Sequence, residues 1–109
     1  MKLLETQSAF EEFIQTNQVT LTYISGTNCG VCSSIKPKIL EILENRTWIA
    51  TGEINSHEHQ ALAAQLSIFT IPAVLVHVQG KETIREARYF SIQELTEKID
   101  RIGNLLDLC

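Results

Sequence analysis

A chain of 109 residues with 44% hydrophobic and 20% charged residues can bury a core and has the composition of a globular domain. Its formal charge of −4 excludes the basic footprint of a nucleic-acid binder. No apolar run approaches the roughly 20 residues of a membrane span, and the acid in Met1-Lys2-Leu3-Leu4-Glu5 interrupts any secretory leader, so no export signal is expected.

In chain order, Lys2 to Leu4 is a candidate edge strand. Thr6 to Asn17 reads as a helix: Ser8 and Glu11 have capping-box spacing, and Phe10, Phe13 and Ile14 recur at helical intervals. Val19 to Ile24 reads as a strand, with Val19, Leu21 and Tyr23 on one face and Thr20, Thr22 and Ile24 on the other. A tight loop, Ser25-Gly26-Thr27-Asn28, leads to Cys29-Gly30-Val31-Cys32, which opens a helix over Ser33 to Asn45. Ile35, Ile39, Ile42 and Leu43 give that helix one apolar stripe, and Pro37 inside it removes a hydrogen bond and predicts a kink.

Trp48 to Ile54 reads as a strand. Ser56 is a candidate cap for a helix over His57 to Leu66, and Ile71-Pro72 ends the connection that follows. Ala73 to Val78 is the most continuous apolar stretch and predicts a buried interior strand. Gln79 to Glu82 is a turn and Thr83 to Tyr89 the returning strand of a hairpin. Ser91 and Glu94 form a second capping box before a final amphipathic helix marked by Ile92, Leu95, Ile99 and Ile102. The order α-β-α-β-α-β-β-α predicts an α/β fold. Strands separated by helices should pair in parallel, the hairpin should add an antiparallel edge, and helices should cover both faces.

Chemistry concentrates at the two thiols three positions apart. The first N–H groups of a helix lack intrahelical partners and carry the positive end of its dipole. A thiolate there is stabilised, which makes Cys29 the expected nucleophile, and positions i and i+3 share a face, so Cys32 can close a short disulfide with it. Three readings of the pair stand at this point: a redox dithiol, half of a zinc site that recruits His57 and His59, or inert thiols. The odd cysteine count suits a reducing compartment rather than a disulfide framework, and Cys109 reads as a tail thiol able to form intermolecular disulfides. His57 and His59 read as solvated first-turn residues, and His77 as a satisfied core histidine with a proton relay as the alternative. Arg85, Glu86 and Arg88 read as a charged edge that discourages strand pairing. Tyr89 and Phe90 either rim the site or pack under the last helix.

From about Ser8 to Leu106 the chain resembles the thioredoxin family. Four features carry the resemblance: the Cys-x-x-Cys between strand and helix, Pro37 eight residues after Cys29, Ile71-Pro72 before a buried strand, and the closing hairpin and helix. The resemblance implies one thioredoxin-like domain over residues 1–109, built on a central mixed sheet of four to five strands with helices on both faces. It implies that Cys29 attacks and Cys32 resolves, that Pro72 is cis, and that Gly30, Val31, Ile71 and Pro72 meet the substrate, with Pro37 shaping the helix. It further implies a cytoplasmic thiol-disulfide oxidoreductase that reduces protein disulfides. Such a protein needs no dissociable cofactor or metal. It is recharged by an NADPH-linked disulfide reductase or a thiol pool, and has neither nucleic acid nor membrane as partner. Asn28 replaces the family's Trp before the first Cys, Val31 its motif Pro, Tyr23 its buried Asp and Glu53 that Asp's Lys partner. These departures favour an alternative, a binding or adaptor module with a sensing or weakly active dithiol. They also raise the question whether Glu53 supplies the missing carboxylate.

Overall fold

The computed structural model describes residues 1–108; Cys109, the candidate tail thiol, lies outside them. Its elements are β1 (Lys2–Leu3), α1 (Gln7–Thr16), β2 (Val19–Ser25), α2 (Gly30–Glu44), β3 (Ala50–Asn55), α3 (Gln60–Gln65), β4 (Ala73–Val78), β5 (Lys81–Ala87) and α4 (Ile92–Leu105). The strands form one sheet in the order β1-β3-β2-β4-β5. β1 and β2 both pair in parallel with β3, whereas β4 is antiparallel to β2 and to β5.

The antiparallel β2–β4 pairing departs from the expectation of parallel strands wherever a helix intervenes. α3 and its flanking loops bring the chain back to the end of the sheet at which β3 finished instead of carrying it to the other end, so β4 starts where Ala73 pairs with Ile24. The consequence for function is direct: β2, β3 and the start of β4 deliver Ser25, Asn55 and Pro72 to one end of the sheet.

Apolar alternation divides the core between the two faces. Val19, Leu21, Tyr23, Val74 and Val76 pack with Ile39, Ile42 and Leu43 of α2 and Leu95, Ile99 and Ile102 of α4. Ile24, Ile54, Ala73 and Leu75 pack with Phe10, Phe13 and Ile14 of α1 and Leu62 and Ala63 of α3. The helix ends correct several local expectations. Thr6, not Ser8, caps α1 through a bond from the Ala9 N–H. α3 starts at Gln60 with no side-chain cap, and Ser56 spends its hydroxyl on the Ser25 carbonyl instead. β3 begins two residues after Trp48, which is half-buried against the core. Gln79 and Gly80 both have positive φ and form a two-residue hairpin turn, so β5 starts earlier than expected. Ser91 caps α4 as expected: its hydroxyl accepts the Glu94 N–H.

Arg85 is more than a solvated edge residue. It pairs with Glu82 and donates to the Leu66 and Ser67 carbonyls, tying β5 to the end of α3. Phe90 packs on the core while Tyr89 stays exposed beneath the Arg88 guanidinium.

His77 is buried in the core as expected, edge-on against Phe10 with ring centroids 5.5 Å apart, but it is not fully satisfied. Its Nδ1 finds no hydrogen-bond partner among the described residues. Burial lowers its pKa below the ordinary histidine value, opposed by Glu82, reinforced by Arg85 and opposed again by Glu11. The unfolded chain then takes up a proton that the fold resists, so stability rises with pH through the window below about 6.5 and is complete above it. His77→Leu removes both the unpaired ring nitrogen and this linkage. Urea titrations at pH 5.5 and 8 should show a clear loss at the lower pH for the wild type and a smaller one for the variant. Equal losses would contradict this account.

Candidate active site

The dithiol forms because the chain leaves β2 through a loop that ends as the cap of α2. Cys29 is the N-cap residue, and its Sγ accepts the Cys32 N–H at 3.2 Å. One of the orphan donors of the first turn therefore points at the Cys29 sulfur. Cys29 and Cys32 are joined in a disulfide, with their Cα atoms 5.2 Å apart. Their environments differ: Cys29 is partly exposed, whereas Cys32 is 3% exposed. A reagent arriving from solvent meets Cys29 first. Among the described residues no group of three or more His, Cys, Asp or Glu side chains stands ready to hold a metal.

The flanks of the motif are open. Gly30 is exposed, and a Cβ placed on it would touch nothing within 4 Å. Val31 is half exposed. Pro37 lies inside α2 on its exposed side and supplies no N–H to the Ser33 carbonyl one turn earlier. Asn28 has φ of 56°, the left-handed region where asparagine is enriched several-fold among non-glycine residues. This gives the residue before the motif a backbone role.

Ile71-Pro72 has a cis peptide bond and enters β4 at the dithiol end of the sheet. Pro72 is buried and its carbonyl accepts the Arg88 N–H at 2.7 Å, while Ile71 is half-buried. Ile71 leans on the dithiol loop: a Cβ on Gly26 would lie 2.6 Å from its Cδ1 and 2.8 Å from Cε1 of His57. A side chain at position 26 would have to displace the Ile71 tip and the His57 ring. Phe69 stands beside this edge, 82% exposed.

Beneath Cys32 is a cavity of about 150 Å³ lined by Tyr23, Ser25, Gly26, Cys32, Ser33, Lys36 and Glu53. Tyr23 and Glu53 are direct partners across the parallel β2–β3 pair. The Tyr23 hydroxyl donates to the Cys32 carbonyl at 2.6 Å. Burial, and then the Glu53 carboxylate, push its pKa up to about 12, so Tyr23 is a hydrogen-bond donor at neutral pH and no base. Lys36 Nζ reaches Glu53 Oε1 at 3.0 Å, with only 15% of the Glu53 side chain exposed. An acid–lysine pair thus lies at this cavity, the acid on β3 and the lysine on α2.

Two neighbours escaped the reading of the sequence. Lys36 lies one turn after Cys32, and that spacing was the available signal. His57 is exposed as expected, yet its Nδ1 accepts the Thr27 N–H at 2.9 Å. No local pattern foretells a bond spanning thirty residues. His59, the other histidine in the zinc reading, approaches Glu5 instead.

A dithiol at the N-terminus of the helix that leaves a central strand, on a mixed five-stranded sheet with paired helices on each face, defines the thioredoxin fold. Thioredoxin from Fasciola hepatica superposes with a TM-score of 0.84 over 93% of this chain and 98% of that one, at 22% identity. The sequence model of the Thioredoxin family matches residues 2–101. The thioredoxin-like protein YdfQ of Bacillus subtilis is 31% identical over 104 residues, 95% of this chain and 93% of that protein. A thioredoxin of Chlamydia caviae is 32% identical over 77 residues, 70% of this chain and 74% of that one. The chain belongs to the thioredoxin family of thiol-disulfide oxidoreductases, and Cys29–Cys32 is its Cys-x-x-Cys pair.

Proposed function

We propose that the protein reduces disulfides in other proteins, with Cys29 as the attacking thiolate and Cys32 as the resolving thiol. The observation that carries this reading is the asymmetry of the pair: Cys29 is partly exposed and caps α2, while Cys32 is buried behind it. The Cys29 thiolate attacks one sulfur of a substrate disulfide, forms a mixed disulfide and releases the other substrate sulfur as a thiolate that takes a proton. Cys32 then loses its proton and attacks Cys29 Sγ. The Cys29–Cys32 bond forms, the mixed disulfide breaks, and the second substrate sulfur leaves reduced.

Open space at Gly30, the half-exposed Val31 and the Ile71-Pro72 edge support a docking strip along which an extended substrate segment lies beside Ile71 in the manner of strand addition. Residues 1–109 act as one domain. An NADPH-linked disulfide reductase or a low-molecular-weight thiol pool returns the pair to the dithiol, and the cytoplasm is the compartment in which such a pool keeps it reduced.

Turnover tests this reading. With a disulfide-bonded protein substrate and dithiothreitol as electron donor, each molecule should reduce many substrate disulfides, at a rate proportional to its concentration. Reduction of a single equivalent, followed by arrest, would instead identify a latch or adaptor.

A further inference from the structure

We propose that His57 is a positioning residue for the dithiol, fixing through its Nδ1 the loop that sets Cys29 at the cap of α2. The inference rests on the reading of Cys29 as the attacking sulfur. The loop between β2 and α2 is not held by its own backbone alone. The end of β3 and the turn after it hold it at three points. The Ser56 N–H and hydroxyl both donate to the Ser25 carbonyl, at 2.8 and 2.9 Å. Asn55 Nδ2 donates to the Thr27 hydroxyl at 3.5 Å. His57 Nδ1 accepts the Thr27 N–H at 2.9 Å, which fixes the Thr27 backbone itself.

His57 is itself held for this task. Asn55 Oδ1 accepts the His57 and Glu58 N–H groups at 3.0 and 3.1 Å, which fixes the turn from which the ring projects. The ring then packs on Gly26, where a Cβ would lie 2.8 Å from its Cε1 and 3.0 Å from its Nδ1. Accepting at Nδ1 assigns the ring proton to Nε2. Two residues beyond the gripped Thr27 stands Cys29, separated from it only by Asn28 with its φ of 56°. Release of Thr27 frees the backbone that delivers the sulfur to the helix N-terminus, where the thiolate is stabilised. The chemistry demanded at position 57 is an acceptor at the Nδ1 place, on a side chain flat enough to lie against Gly26.

Two substitutions separate the acceptor from the ring. His57→Phe keeps a flat ring but offers no acceptor, whereas the Oδ1 of His57→Asn takes the place of Nδ1. The readout is the rate of Cys29 alkylation by iodoacetamide in the reduced protein between pH 5 and 9, together with hydrogen exchange of the Thr27 amide. For His57→Phe, alkylation at pH 7 should slow about three- to tenfold, the loss of one hydrogen bond's worth of positioning. Its pH midpoint should move up and the Thr27 amide should lose protection, while His57→Asn should stay near the wild type in all three. A His57→Phe profile equal to the wild type, or an equal loss in both variants, would overturn the assignment. Failure of the wild type itself to favour Cys29 over Cys32 would count against the underlying functional reading instead.

Discussion

Cys32→Ser is expected to stop turnover and to leave the protein covalently attached to its substrate through Cys29. The expectation follows from burial and order. In the proposed mechanism Cys29, which is reachable, carries the first attack, so the mixed disulfide still forms. Cys32, 3% exposed behind it, is there the sulfur that displaces the substrate, and a serine hydroxyl in its place is no thiolate. Steady-state reduction should fall by about a thousandfold or more, the scale on which covalent catalysis collapses when one member of a cooperating pair is removed. Non-reducing gels should show a one-to-one adduct that dithiothreitol releases. Cys29→Ser should be equally inactive but form no adduct. An adduct through Cys32 in the Cys29→Ser protein would reverse the assigned roles.

Glu53→Gln is expected to slow the second step while sparing the first. Among the described residues, Glu53 is the one carboxylate lining the cavity beneath Cys32. Tyr23, whose phenol titrates at about 12, cannot accept the proton that Cys32 must lose. Glu53 can, across a cavity wide enough for a water-mediated relay. General-base assistance typically contributes a factor of about 100 to 10,000. With cavity water left as a partial substitute, resolution of the mixed disulfide near pH 7 should slow roughly 10- to 100-fold in the variant. The deficit should shrink as pH rises and Cys32 ionises unaided, which separates lost proton transfer from lost packing. Stopped-flow measurement of the two steps on a chromogenic aromatic disulfide checks this. An unchanged second step would remove Glu53 from the mechanism. Lys36, 3.0 Å from Glu53 Oε1, holds the carboxylate in place, so Lys36→Met should affect the same step.

The parts of this structure that were legible in the sequence are those set by local repetition. α4 is marked by Leu95, Ile99 and Ile102 recurring at helical spacing behind Ser91, which caps it as expected. β4 is an unbroken apolar run and is buried through His77. The dithiol needed only its position between strand and helix. What the sequence hid was set by contacts between distant segments. Ser56 has the chemistry of a cap, yet its hydroxyl serves the carbonyl of Ser25. Trp48 has strand propensity, yet it packs on the core outside β3. The direction of β4 depends on the end of the sheet to which the segment after α3 returns, which periodicity does not report.

The candidate site divides the same way. Cys29, Cys32 and Pro72 were visible as motif residues, and the family's pattern drew attention to Tyr23 and Glu53 as departures. The pairing of Glu53 with Lys36 required the register of β2 on β3 and the turn of α2 above them. His57 required the turn after β3 to fold back over the loop. Lys36 and His57 keep exposed surface, and what the sequence does not report is the distant partner each one meets.

The central claim is that Cys29 and Cys32 cycle as a reducing pair. Equilibration of the Cys109→Ser protein with graded dithiothreitol and glutathione buffers, quenched by alkylation and counted by mass spectrometry, tests it most directly. The account predicts one cooperative two-thiol transition at about −230 to −280 mV, the range of the known reducing dithiols of this fold. A midpoint above about −180 mV would make the protein an oxidant or isomerase, and a pair of thiols that never forms a reversible disulfide would contradict the account outright.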